Sequence, residues 1–369
     1  MVNSMQIFHH FPKLRENLAH ICLAELPTPV EKLQQLGKAI GVESLYVKRD
    51  DLTGKLYGGN KVRKLEFFLG KALQDGVKEV LTFGYAGSNH ALATAIYAKE
   101  VGLRSISMLI PQPNAYYVRR NLLMSYVAGA ELHHYRSMST IKLGAIYQLL
   151  KHKVLNGRFP NIIPPGGSAP LGVIGFVNAA LELKQQINDG VLPEPDLLYV
   201  ALGSKGTAIG LILGLKVAQL KTRVIPVRVG PKVLTKEEDI FRLFRNTNEM
   251  LSSHDPTFPA IDISVDDFNI RHDFFGRQYA LFTEEGAKAI RTLQEMENIT
   301  LEGTYTGKAL AALLADADQG KLADKTVLFW NTYNSRDLNE RIAHVDYHAL
   351  PTSLHRYFEE DVQALDGKN

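Results

Sequence analysis

Between residues 61 and 229 the chain alternates two hydrophobic periods, and that alternation limits its fold more than any other feature. Short apolar runs near 79–83, 105–110, 131–135, 197–201 and 223–229 read as strands. Between them lie helical patterns over 61–73, 91–99, 116–128, 141–155, 171–187 and 207–220. Strand–helix–strand units of this length close as crossovers between parallel neighbours, so the expected class is α/β with mostly parallel sheets flanked by helices. A strand at 45–48 precedes the series. An amphipathic helix with Ile240, Leu243, Phe244 and Met250, a helix at 284–296 and a strand at 326–330 follow it. No repeat or Gly/Ser linker divides the chain; the Pro/Gly clusters near 54–59 and 160–167 mark the expected boundaries.

A chain of 369 residues is long enough for about two domains. A formal charge of +3 with 22% charged residues points to neither nucleic acid nor membrane as a partner. No apolar run approaches a membrane span, and Met1 to Met5, leading into His9-His10-Phe11-Pro12-Lys13, lack a signal pattern. The single cysteine excludes an internal disulfide and a multi-cysteine metal site, and the apolar stretch around Cys22 predicts a packed small hydrophobe. A cytoplasmic protein without a metal is expected.

Within this frame Gly58-Gly59-Asn60-Lys61 stands out. Two glycines end a loop and a lysine opens a helix, where the positive end of the macrodipole repels an ammonium. That repulsion, with some burial, would lower the lysine pKa and leave an amine able to attack a carbonyl. Arg63 and Lys64 are expected on a solvated helix face. Upstream stand Leu26-Pro27-Thr28-Pro29 and Lys48-Arg49-Asp50-Asp51. In this order the segments resemble the "LPTP", "KRDD" and "GGNKxRKLE" motifs of fold-type II pyridoxal-phosphate (PLP) enzymes. More narrowly, they resemble the 1-aminocyclopropane-1-carboxylate (ACC) deaminase / D-cysteine desulfhydrase family. The resemblance implies a tryptophan synthase β-like fold, with a smaller α/β domain over 55–165 and a larger PLP-binding domain from 1–54 and 166–369. It also implies PLP in the interdomain cleft, carried by Lys61 as a Schiff base, a small amino-acid substrate and a homodimer.

Other segments carry chemistry on their own residues. In Gly84-Tyr85-Ala86-Gly87-Ser88-Asn89-His90, Ser88 or Asn89 is placed to cap the next helix. The resemblance adds the family's "SNH", in which Asn89 meets the ring hydroxyl, Ser88 reaches the substrate, and His90 either stacks near the ring or is structural. Gly203-Ser204-Lys205-Gly206-Thr207 lies between a strand and a helix, where backbone N–H groups form an anion cradle. It resembles the family's phosphate loop "GSGGT", with Lys205 in place of a glycine, either adding a charge to the phosphate contact or crowding the backbone. Pro165-Gly166-Gly167-Ser168 resembles "PGGS" beside the substrate, although by itself it reads as a turn before a helix. Tyr279 stands for the "YGxP" tyrosine, and Tyr305-Thr306 for part of "VYTGKA". Thr332 matches the "HTGG" strand end, whereas Asn331, Tyr333 and Asn334 depart from it.

The resemblance implies a PLP-dependent deaminating lyase. Threonine at 306 and 332 favours β-elimination from D-cysteine, giving pyruvate, ammonia and sulfide, because a hydroxyl suits an unprotonated ring nitrogen. The alternatives are ACC deamination, a serine/threonine dehydratase or cysteine synthase relative, and a PLP-binding protein with altered or lost catalysis.

Overall fold

In the computed structural model, which describes residues 5–366, the alternation closes two sheets rather than one. Residues 1–4, part of the stretch read for a signal, and 367–369, the end of the expected larger domain, lie outside the described residues. The strands are β1 (Val30–Lys32), β2 (Leu45–Lys48), β3 (Glu79–Tyr85), β4 (Arg104–Ile110), β5 (Glu131–His134) and β6 (Asn161–Ile163). They continue with β7 (Leu197–Leu202), β8 (Arg223–Arg228) and β9 (Val327–Trp330). One sheet has the order β1-β2-β9-β7-β8, the other β5-β4-β3-β6; every pairing is parallel except the antiparallel edge β1–β2.

The principal helices are α1 (Lys61–Gln74), α2 (Asn89–Glu100), α3 (Tyr116–Val127), α4 (Met138–Asn156) and α5 (Pro170–Asn188). After them come α6 (Gly206–Val217), α7 (Glu237–His254), α8 (Glu284–Glu297) and α9 (Thr306–Asp318). The foreseen elements lie within a few residues of their expected bounds. Three were not foreseen: β1, a three-residue edge strand; β6, three residues among prolines; and α9, whose start is capped by the Glu302 side chain rather than by a sequence-typical N-cap.

The five-stranded sheet is covered on both faces, as parallel sheets require. Phe176, Ile209 and Leu213 pack on one face with Trp330, and Leu310, Leu313 and Leu293 on the other with Val47, Tyr199 and Phe329. Helix α1 packs between α5 and α2, and its positions 62–70 are all buried. Arg63 is 0% exposed, which corrects the solvated face expected of it. Its guanidinium donates to Asp50 at 2.7 Å and to Glu182 at 2.9 Å; Lys48 meets Glu182 at 2.6 Å, and the Trp330 indole donates to Asp50 at 2.8 Å. Two cations and two carboxylates thus cancel inside the core. The cluster also accounts for Lys48 and Asp50 of the Lys48-Arg49-Asp50 motif, because it locks β2, α1, α5 and β9 into one frame. Glu66 fixes the N-terminal segment by accepting from Leu23 and Ala24 N at 3.0 Å.

Cys22 is exposed rather than packed, since Ile21 and Leu23 carry the apolar contacts of that stretch. The chain beyond 337 crosses the smaller sheet's side of the molecule. There Leu350, Leu354 and Tyr357 pack with Leu109, Val118 and Ala86. Gln363 accepts from Phe282 N and donates to Ala280 O, which fixes the segment bearing Tyr279.

Candidate active site

The carboxyl ends of both sheets feed loops into one cleft, the usual place for a ligand in open α/β sheets. At its floor the chain passes under the end of β9. Gly59 has φ 90°, and a Cβ there would lie 2.9 Å from Thr332 O, so only glycine permits this approach. Asn60 N then donates to Thr332 O at 3.2 Å, and Asn60 Nδ2 to Thr207 Oγ1 at 3.0 Å. One residue thereby ties the start of α1 to the end of β9 and to the first turn of α6. Lys61 follows, with no hydrogen bond or ion pair to its amine among the described residues. Burial lowers its pKa from 10.5 to about 8. The amine lies 4.0 Å from where a Gly166 Cβ would be.

Lys64, one turn on, is 0% exposed, and its expected solvated face is corrected as well. Its Nζ donates to Gly166 O at 3.1 Å and lies 3.1 Å from the position of a Gly206 Cβ. No carboxylate compensates it, and burial, reinforced by the Lys61 charge, pushes its pKa well down. A desolvated amine, able to take up a proton beside an anion, is thus held at the glycine loop. It was not foreseen, although a lysine three residues after Lys61 falls on the same helix face.

That loop is built as an anion cradle. Lys205 adopts φ 65°, the conformation for which glycine is the usual choice. Its ammonium donates to Leu234 O at 3.2 Å, so the main chain rather than the side chain belongs to the loop. The N–H groups of Ser204, Lys205, Thr207 and Ala208 have no acceptor among the described residues. Ser168 Oγ donates to Ser204 Oγ at 2.9 Å and accepts from Gly206 N at 3.2 Å, which brings the Pro165–Ser168 segment onto the cradle.

Across the cleft, Ser88 caps α2 by accepting from Ala91 N at 3.2 Å. Asn89 Oδ1 accepts from Tyr57 OH at 3.2 Å and Asn121 Nδ2 at 2.8 Å. Its own amide nitrogen is left without a partner among the described residues. His90 is buried, and burial together with Lys61 and Lys64 keeps it neutral. The Tyr279 and Tyr305 hydroxyls bond to each other, Tyr85 lies against Tyr279 at 4.1 Å between centroids, and Tyr305 Cε1 is 3.1 Å from the position of a Gly203 Cβ. Burial raises both tyrosine pKa values, so these hydroxyls stay protonated.

Thr306 Oγ1 accepts from Glu302 N at 3.0 Å, while the Glu302 carboxylate accepts from the N–H groups of Thr304, Tyr305 and Thr306. Thr332 Oγ1 has no partner among the described residues. The neighbouring departures have structural work: Asn334 Oδ1 accepts from Gly58 N at 2.6 Å, and Arg120 donates to the Tyr333 hydroxyl. No group of three or more potential metal ligands occurs among the described residues.

An amine without a counter-ion, an N–H cradle beside a second buried amine and an unengaged amide form a set that fits PLP, which brings an aldehyde, a phosphate and a ring oxygen. The profile of the family described as pyridoxal-phosphate dependent enzymes matches residues 21–332. A Pyrococcus abyssi protein with the provisional name 1-aminocyclopropane-1-carboxylate deaminase is 34% identical over 86% of this chain and 92% of its own length. A D-cysteine desulfhydrase of Yersinia enterocolitica is 35% identical over 83% of this chain and 90% of its own. The solved structure of an ACC deaminase homologue superposes with a TM-score of 0.75 at 31% identity, covering 92% of this chain and 99% of that one.

Proposed function

The chain belongs to the family of pyridoxal-phosphate dependent enzymes, and from that premise we propose β-elimination from a small β-substituted amino acid, with D-cysteine preferred. PLP is its cofactor, and its class is that of PLP-dependent lyases acting as deaminases or desulfhydrases. Lys61 carries the reading: a partnerless amine in the cleft with a pKa near 8 is in part neutral at physiological pH. It would hold the cofactor aldehyde, and its free amine would be the base that takes the proton from the substrate α-carbon. Bound there, the cofactor supplies the electron sink for charge at that carbon. The free N–H groups of Ser204, Lys205, Thr207 and Ala208 take the phosphate, with Gly203 and Gly206 leaving the approach open and Lys64 supplying the charge.

The free amide of Asn89 donates to the ring oxygen. Of the two threonines, Thr332 has the unengaged hydroxyl and would donate to an unprotonated ring nitrogen; Thr306 would support it from the start of α9. A sink of this strength suits departure of a good leaving group from the β-carbon. Ser88 keeps its hydroxyl proton for the substrate carboxylate, because its oxygen only accepts from Ala91 N. Tyr279 and Tyr305 act as protonated donors at the far side.

ACC deamination is the second reading, favoured by the name of the Pyrococcus abyssi relative. Borohydride reduction followed by peptide mass analysis should place the pyridoxyl group on Lys61; an adduct on Lys48, Lys64 or Lys205 would sink the assignment. Sulfide and pyruvate release from D-cysteine should exceed 2-oxobutanoate release from ACC on one preparation, and the reverse order would select the second reading. The protein is further proposed to be a homodimer joined through α4. Leu143, Ile146, Tyr147, Leu150 and Val154 share one face of that helix and are more than half exposed.

A further inference from the structure

A cavity of about 590 Å³ opens at the carboxyl ends of β3, β4 and β8, and its wall includes Tyr85 and Tyr279 from the constellation above. Lys61 does not line it. The cavity is a neighbouring compartment that meets the reaction site at Tyr279.

Its wall is basic. Arg228, Lys232 and Arg277 line it, and no aspartate or glutamate does. None of the three has an ion-pair partner among the described residues. Arg228 is fixed in place: Nη1 donates to Gly230 O at 3.0 Å, Nη2 to His272 O at 3.1 Å, and the guanidinium lies 4.5 Å over the Phe275 ring. Burial lowers its pKa, the signature of a cation held without a counter-ion. The acids on neighbouring segments are committed or set back. Asp273 pairs with Arg271 at 2.7 Å and Asp239 with Arg242, while Glu237 sits in the first turn of α7. Lys308 adds no free charge to the wall, because its amine donates to the carbonyls of Phe275 and Leu281 and so pins the loop that carries Arg277.

An unpaired, partly ordered cationic wall in a concave site concentrates anions. The geometry points to a further class of substrate beside D-cysteine: an amino acid whose side chain ends in a second acidic group, a carboxylate, sulfonate or phosphate, received by Arg228, Lys232 and Arg277 beyond Tyr279. This rests on the reading that the cleft binds an amino acid at Lys61, and it adds a substrate class for that site.

Aspartate and asparagine, in both antipodes, test it as near-isosteres that differ in charge. They are titrated calorimetrically into the full-length, PLP-loaded protein, so that the phosphate cradle is already filled. Aspartate of one antipode should bind about tenfold tighter than asparagine, with the preference shrinking as salt screens it. Arg277 and Lys232 are exposed, so Arg277→Gln and Lys232→Gln should fold normally, as a melting curve will verify, and together should bring the ratio near unity. Arg277→Lys should keep most of it. Equal affinities in the unaltered protein, or a preference untouched by the double substitution, would overturn the proposal. D-Cysteine turnover without aspartate preference removes this inference and leaves the lyase reading standing. Aspartate preference without turnover of any β-substituted amino acid does the opposite.

Discussion

Helices α1 and α4 invert what their polarity suggests. Helix α1 carries Lys61, Arg63, Lys64 and Glu66 in its first six residues, and the last three are buried to within 2%. Helix α4 carries Leu143 at 71% and Val154 at 84% exposure. Amphipathicity assigns charges to water and apolar groups to the core. That rule holds for a helix whose charges have no partner elsewhere and whose apolar face has no partner outside the chain. Helix α1 breaks the first condition, because Arg63 meets carboxylates 13 positions upstream and 119 downstream. We propose that α4 breaks the second. A buried ionisable group is therefore informative according to its partner: paired, as in Arg63, it is framework, whereas for unpaired ones such as Lys61 and Lys64 we propose a ligand as the missing partner.

The largest expected effect follows from breaking the paired half. Arg63→Met strands Asp50 and Glu182 in the core and should cost about 3–5 kcal/mol of unfolding free energy by denaturant titration. A loss below about 1 kcal/mol, the usual worth of an exposed pair, would place Arg63 with solvated charges after all.

Acid should reach the same cluster. Arg63 and Lys48 outweigh burial and hold Glu182 at about 2, below its ordinary 4.5. A depressed carboxylate contributes stability that is complete above pH 4.5 and is lost as pH falls through about 2. The gap corresponds to roughly 3 kcal/mol. Glu182→Gln should flatten that part of the stability–pH curve, and an unchanged acid limb would deny the pairing.

Lys64 sharpens the unpaired half because its two effects have opposite signs. With no counter-ion, Lys64→Met should leave the cofactor-free protein as stable or more so in thermal melts. It should also weaken PLP binding about tenfold or more, through loss of a charge-assisted contact worth roughly 1.5–3 kcal/mol. Destabilised apoprotein with unchanged PLP affinity would make Lys64 framework instead.

This division between paired and unpaired charge also explains what the sequence could disclose. The alternation of periods carries within itself the order of strands and helices, and Gly59, Lys61 and Gly203 to Thr207 stand at a fixed spacing that survives translation into structure. The fates of Arg63 and Lys64 depend on Asp50, Glu182 and Gly166, which no local window contains. Helix α9 escaped notice because its cap is the Glu302 carboxylate gathering three N–H groups, a contact that depends on the fold of the turn. Asn334 reads as a lost glycine until its bond to Gly58 N shows it bracing the turn before Lys61.

The smallest effect on the subunit, and the most direct on the comparison, is expected from Leu150→Glu on α4. Residues 143, 146, 147, 150 and 154 are spaced three or four apart along one stripe. At 54% exposure Leu150 contributes little to the monomer's own core, so the substitution should change subunit stability by no more than about 0.5 kcal/mol. In a dimer that covers the stripe, the same change sets a carboxylate in a desolvated contact. It would also forfeit part of the roughly 1.5–3 kcal/mol that burying a leucine contributes. Sedimentation equilibrium should therefore show a dimer for the unaltered chain and a monomer for Leu150→Glu, with melting curves that coincide once both are dilute enough to be monomeric. A dimer that persists through the substitution would leave the exposed stripe without a partner, and the inversion between α1 and α4 would then hold only for α1.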